Sequence, residues 1–247
     1  MDVNRAEELI PHSLLNVLSG TFMMIIVRIF PKGKLNESWN MLLSNVERIS
    51  NEHCTPLYLS LQEEKKFISL VYDVRDMDHF DDIIVRRIPS TVQLEKTRII
   101  TLLKPIFFPL RKESPANLER YMVALRVTSS ELENIFNRII DLDYPTDVFP
   151  TYEAYSFGED DILTSMLSPS REKIKKLLEE KLAREKGVLN IEVDRISMSK
   201  RIAPPEMWKQ YRESKYVSKP REEHEDYDFL ERAAMSETFV RELRGKF

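Results

Sequence analysis

Residues suited to chemistry are few in this 247-residue chain. The single cysteine, Cys54, directly follows His53. Neighbouring side chains on an extended strand point in opposite directions, so this pair indicates a loop position rather than a metal or redox site. The acidic run at residues 159–161 lacks the further nearby carboxylates expected of a divalent-cation site. The histidines are widely separated: His12, His53, His79 and His224.

Common enzyme motifs are absent as well. With only five glycines, the chain has no P-loop and no dinucleotide-binding fingerprint. It has no Gly-x-Ser-x-Gly elbow, no CxxC pair and no HExxH frame. The sequence therefore predicts no catalytic residue, no metal and no cofactor, and it favours a protein that is not an enzyme.

The strongest candidate for a binding or assembly contact is a four-residue turn. Gly158 lies where a tight connection between two strands needs a positive φ. Asp161 can accept hydrogen bonds from turn amides or from the ammonium group of an amino acid. Glu159 and Asp160 are expected to face outward and to attract a ligand amine or a lysine or arginine of a neighbouring subunit. The alternative is that Gly158 and Asp161 only shape the hairpin.

The elements around this turn position it. Tyr155, on the strand that leads into the turn, is a candidate to line a ligand, and core or interface packing is the alternative. Ser168-Pro169 is expected to open a long helix that stops at Gly187. The strands are predicted at Thr151–Phe157, Asp161–Leu167 and Ile191–Ile196.

The whole chain repeats this order. Both halves read strand, helix, strand, strand, helix, strand, with first strands at Phe22 and Tyr121. The predicted fold class is α+β, with two tandem ferredoxin-like βαββαβ units packed on one another as in dimeric α/β barrels. The predicted divisions are an N-terminal helical segment at 1–19, units at 20–112 and 118–202, and a helical tail at 203–247.

Composition restricts the compartment. A free thiol fits a reducing cytoplasm. The longest apolar run, Phe22–Phe30, contains Arg28 and is far shorter than the roughly 20 residues that span a bilayer. A net charge of −4 gives no reason to expect a surface that coats nucleic acid.

Residues 121–201 resemble a known regulatory domain. The strand entering Gly158, the acidic turn ending in Asp161, the apolar strand after it and a helix ending near Gly187 are similar to the RAM effector domain of leucine-responsive (Lrp/AsnC) regulators. In that family, paired domains form a dimeric α/β sandwich and bind small effectors, often amino acids, near the corresponding turn. DNA binding belongs to a separate helix-turn-helix domain, for which there is no room before Phe22.

The resemblance implies a free-standing sensing or oligomerisation module in transcriptional or metabolic regulation. It implies a homo-oligomer or a related Lrp-type regulator as partner, and a small-molecule effector. Direct DNA binding is not expected, although the C-terminal helices leave it open. An enzyme is the main alternative, because paired ferredoxin-like units also build haem-binding oxidases and monooxygenases. A haem enzyme would need an axial histidine, and none falls on a predicted core-facing strand of the second unit.

Overall fold

A computed structural model of the chain describes residues 23–108, 117–182 and 185–203. The predicted helical segment at 1–19 and the tail after residue 203 lie outside these ranges. The strands are β1 (Met23–Pro31), β2 (Cys54–Gln62), β3 (Phe67–Val74), β4 (Leu94–Phe107), β5 (Glu119–Val127), β6 (Phe149–Phe157), β7 (Ile162–Ser168), β8 (Val188–Arg195) and β9 (Met198–Arg201). The helices are α1 (Leu35–Ser44), α2 (Met77–Asp82), which continues through π-helical Ile83–Arg87 into α3 (Ile88–Thr91), α4 (Leu132–Ile140) and α5 (Arg171–Leu182).

The sheet order confirms the predicted fold class. All pairs are antiparallel, and the order is β8-β5-β7-β6-β4-β1-β3-β2-β9. Within it, β4-β1-β3-β2 and β8-β5-β7-β6 each have the strand order of a ferredoxin-like unit. The first unit therefore contains β1 to β4, and the second contains β5 to β8.

The two units share one hydrogen-bonded sheet instead of stacking two separate sheets. β4 is long enough to pair with β1 over its first part and with β6 over its last part. At the other edge, the amide of Ile196 donates to Arg120 of β5, and the next amide, Ser197, donates to Leu61 of β2. The chain passes from one unit to the other there, so β8 and β9 close the sheet into a barrel.

The described residues form three apolar clusters. Helices of each unit cover the outer face of its own strands and form one cluster per unit. In the second unit the α4 stripe Ile135, Phe136 and Ile139 is buried, as the three-to-four spacing predicts. The third cluster is the barrel interior, where Ile26 and Ile100 of the first unit meet Ala154 and Leu163 of the second.

The long helix of the second unit begins later and ends earlier than predicted. It runs over Arg171–Leu182. Ser170, instead of Ser168, accepts at its hydroxyl from the first-turn amide of Lys173 at 3.3 Å. Gly187 lies in the turn before β8 with a φ of 118°. No helix among the described residues is long and apolar enough to cross a membrane.

Candidate functional site

A pocket of about 200 Å³ opens at the end of the barrel where β1 and β5 finish. Both units contribute to it, and its walls carry equal numbers of cationic and acidic side chains. Apolar surface comes from two phenylalanines and an alanine. The lining residues are Arg28, Phe30, Lys65, Phe67, Arg98, Ala124, Arg126, Glu159, Asp160, Glu192 and Asp194. We call this site the barrel mouth.

Glu159 joins two arginines that the sheet places side by side. Arg28 on β1 is directly opposite Arg98 on β4. Like charges in that position repel. The Glu159 carboxylate bridges them, with Arg28 Nη1 at 2.6 Å from its Oε2 and Arg98 on its other oxygen. The guanidinium carbon of Arg28 also lies 5.1 Å from the centre of the Phe67 ring, within reach of a cation–π contact.

Asp160 is more enclosed than Glu159, with 11% of its side chain exposed against 24%. Its carboxylate lies 3.9 Å from Arg28 and 3.8 Å from Arg126. Burial raises its pKa above the usual value, and Arg28 opposes that shift. Burial also lowers the pKa of Arg28, although Asp160 opposes that shift too. Together these groups form a partly desolvated charge network inside the mouth.

A second network of charges lines the same pocket. Lys65, in the β2–β3 turn, contacts Glu192 at 3.0 Å and Asp194 at 3.6 Å on β8. Its hydrogen bond lowers the pKa of Glu192. Burial raises the pKa of Asp194. Here again the cation comes from the first unit and the acids from the second.

Two residues of the turn predicted from the sequence line the barrel mouth, and the other two hold the turn in place. The sequence predicts that Glu159 and Asp160 face outward. In the structure they do not, because the turn folds over the barrel end and meets the arginines of the first unit. Asp161 accepts from the Val127 amide at 2.8 Å, and its own amide donates to the Leu125 carbonyl at 2.9 Å. It therefore holds the turn against the end of β5. Gly158 has a φ of 149° at this hairpin.

Tyr155 lies away from the mouth. It stacks on Phe136 of α4, with ring centroids 3.9 Å apart and planes 22° apart. The ring therefore belongs to the helix-covered core of the second unit, which was the packing alternative. Side chains two residues apart on a strand share a face, and Phe157 lies on the outer face of β6. Tyr155 therefore also lies on the outer face and does not enter the barrel.

Sequence reasoning missed most of the lining. The overlooked groups are Arg28, Lys65, Arg98, Arg126, Glu192 and Asp194. One available signal was Arg28 itself, a charge within an otherwise apolar strand, because such a charge requires a partner. The partners of Arg28 lie more than 100 residues away in the sequence. Glu159, for example, is 131 residues from Arg28.

Comparisons with known proteins support the fold. No protein-family model matches the chain, and no curated protein does. The siroheme decarboxylase NirDL, solved with an iron-uroporphyrin III analogue, matches with a TM-score of 0.52 at 10% identity, over 74% of this chain and 73% of that chain. Chlorite dismutase from Candidatus Nitrospira defluvii, solved with imidazole, gives 0.45 at 10% identity, over 74% and 95%. An anthrone oxidase-like protein gives 0.44 at 7% identity, over 74% and 94%.

At these identities the likeness shows a fold and no activity. The paired ferredoxin-like barrel is common to this chain and the decarboxylase. The resemblance to Lrp/AsnC effector domains is thus supported only as far as the fold, and its specificity for regulators is not.

The barrel mouth does not fit an iron porphyrin. Haem iron takes histidine, cysteine, methionine or tyrosine as its axial ligand, and the lining contains none of these. A volume of about 200 Å³ is also below the roughly 300–1,000 Å³ typical of drug-sized ligands. In the second unit, residues 117–203 contain no histidine, and packed side chains fill the space between helices and sheet.

Proposed function

We propose that this chain binds a small zwitterion, of the free amino acid class, in the barrel mouth and acts as a non-catalytic sensing module. The observation that carries this proposal is the pocket wall, which combines four cationic and four acidic side chains with apolar surface from two phenylalanines and an alanine. The volume of about 200 Å³ holds roughly seven water-sized groups, at about 30 Å³ each. That is the size range of a free amino acid.

The charge pattern selects for a ligand that carries both signs. A zwitterion can insert between the two members of an ion pair, so that its carboxylate contacts the arginine and its ammonium group contacts the acid. Arg98 is suited to this exchange, since 44% of its side chain is exposed and Glu159 has Arg28 as a second partner. A ligand of one charge would leave a partly buried group unpaired, which is strongly unfavourable.

The regulatory part of the proposal rests on the resemblance to Lrp/AsnC effector domains. We propose that the chain works as a homo-oligomer, or bound to a related Lrp-type regulator, without contacting DNA itself. Ile99 and Phe157 support an assembly role, because both are large, about half exposed and close together on paired strands β4 and β6. Native mass spectrometry of the purified chain would report oligomer size and any retained small molecule together.

Ligand binding is tested by calorimetry of the full chain with individual amino acids. We expect at least one to bind with a dissociation constant below about 1 mM, which corresponds to about −4 kcal/mol. Arg98→Gln should weaken binding at least tenfold, because Arg98 is the residue suited to receive the ligand carboxylate, and Arg126→Gln should weaken it as well. Arg86→Gln is the matched control, because Arg86 also has an acidic partner at 3.8 Å but lies on the surface of the first unit. Unchanged binding in Arg98→Gln, or no binding by any amino acid, would contradict the proposal.

An enzyme is the second candidate. Asp160 and Asp194 favour it, because burial raises the pKa of both in a pocket, and groups perturbed in this way are frequent among catalytic acids and bases. The two functions separate by the fate of the ligand. Recovery of the bound molecule unchanged after prolonged incubation supports sensing, whereas its conversion in wild type but not in Asp160→Asn supports catalysis.

A further inference from the structure

Two histidines that are distant in sequence come together at the other end of the first unit. His53 lies in the turn before β2, and His79 lies in α2. Their ring centroids are 4.1 Å apart. Asp76 lies beside this pair, with its Oδ2 2.8 Å from Nδ1 of His79. One ligand atom from each of the three residues falls within 4.8 Å of the others.

This cluster is separate from the barrel mouth. Along the β2–β3 pair, Gln62 and Phe67 face each other at the mouth end, and Cys54 and Val74 face each other at the far end. His53 directly precedes that far end. A ligand site at this cluster is therefore independent of the proposed function.

Hydrogen bonds hold the backbone segments of the three residues in place before any ligand binds. The side chain of Asn51 connects both histidine segments. Its Nδ2 donates to the His79 carbonyl at 3.2 Å, and its Oδ1 accepts from the backbone amide of His53 at 2.9 Å. The Arg75 amide donates to the His53 carbonyl at 2.8 Å. Asp76 is the N-cap of α2 and accepts from the Asp78 amide at 2.9 Å. Each segment is thus fixed through its backbone.

We infer that His53, Asp76 and His79 form a binding site for a divalent transition-metal ion of the Zn²⁺ class. Two imidazoles and one carboxylate are a ligand set that such ions accept, with bonds of about 2.0–2.2 Å. Oδ2 of Asp76 and Nδ1 of His79 are already closer together than the roughly 3.3 Å that separates neighbouring ligand atoms in a tetrahedral site with those bonds. Only His53, whose side chain is 35% exposed, has to turn toward them.

A fourth ligand is at hand. The Glu52 carboxylate lies 3.3 Å from Nε2 of His53, and 84% of its side chain is exposed. Water can occupy the same position, since the cluster lies at the surface. Cys54 does not contribute, because its thiol is buried in the apolar core of the first unit. The donors are therefore nitrogen and oxygen.

The site is tested with Zn²⁺ on the full chain after treatment with a chelator. Competition with a chromophoric chelator should give one tight site per chain. His53→Ala, His79→Ala and Asp76→Asn should each weaken binding at least tenfold, and asparagine preserves the helix cap. Asp81→Asn is the matched control, because Asp81 is an exposed acid of the same helix. It should bind Zn²⁺ like the wild type.

Two further measurements guard against indirect effects. Co²⁺ bound at a tetrahedral site should give visible absorption that disappears in His53→Ala. Asn51→Ala removes no ligand but loosens both histidine segments, so it should weaken Zn²⁺ binding about 10–100-fold, as expected for groups that orient metal ligands. The ligand variants His53→Ala, His79→Ala and Asp76→Asn should match the wild-type melting temperature when chelator is present. Retention of one tight Zn²⁺ site in the His53→Ala/His79→Ala double variant would overturn the inference.

Discussion

Glu153 is a carboxyl group enclosed by the core of the second unit. It is 0% exposed, and neither of its oxygens has a hydrogen-bond partner among the described residues. Its strand neighbours are Thr164 on β7 and Ile106 on β4. Burial raises its pKa well above the usual value. The folded protein therefore holds this proton more tightly than the unfolded chain does.

The sign of the linkage follows from that shift. The contribution of Glu153 to stability is fully present below its unfolded pKa of about 4.3, and it is lost as the pH rises through the folded pKa. Glu153→Met removes the titration and the unpaired oxygens. We expect it to stabilise the protein by about 1–3 kcal/mol at pH 8, with a smaller gain at pH 5. Urea unfolding at the two pH values measures this.

The control is an exposed acid of the same unit. Glu133 lies on the outer surface of α4. Glu133→Met should change stability by less than about 0.5 kcal/mol at either pH. If Glu153→Met destabilised the protein at pH 8, the carboxylate would have to be ionised and paired, contrary to this interpretation.

The β6–β7 hairpin depends on one glycine. Gly158 has a φ of 149°, and a Cβ placed there would lie 3.1 Å from the Ile99 carbonyl oxygen. Gly158→Ala should destabilise the protein by about 1–3 kcal/mol. Gly33→Ala is the matched control, since a Cβ there meets nothing within 4 Å. Equal thermal unfolding of the two variants would rule out a constrained hairpin.

Sequence periodicity predicts elements better than it predicts their partners. The strands and helices of the second unit fall within a few residues of their predicted positions, because local spacing sets their buried faces. The pairing of β4 with β6 and the short strand β9 were missed, since each depends on residues of the other unit. The approach of His53 to His79 was missed for the same reason, because spacing in sequence does not report proximity in the fold.

At the scale of the molecule, the two units carry complementary charge where they meet at the barrel mouth. The first unit supplies the cations Arg28, Lys65 and Arg98. The second supplies Arg126 and the four acids. The mouth ion pairs at Glu159 and Lys65 therefore connect the units as well as line the pocket. We infer that they help to hold the two halves together.

A double-mutant cycle measures that coupling. Arg28→Met and Glu159→Gln remove the charges of a pair whose side chains are 11% and 24% exposed. Contacting residues couple by about 0.5–3 kcal/mol, and partial burial reduces screening by salt. We expect a coupling of about 1–2 kcal/mol in the unfolding free energy that persists at high salt.

Lys34 and Glu37 provide the control pair, because they form a similar contact of 2.9 Å within the first unit but are 82% and 66% exposed. Such surface pairs contribute little, so their cycle should give no measurable coupling. Each single variant at the mouth keeps one remaining partner, since Arg98 still contacts Glu159 and Asp160 still lies near Arg28. In Glu159→Gln, Arg98 loses this acidic partner and still faces Arg28, so the coupling includes the relief of that repulsion in the double variant as well as the pair itself. A value near zero for Arg28 and Glu159 would mean that apolar packing and strand pairing alone join the two units.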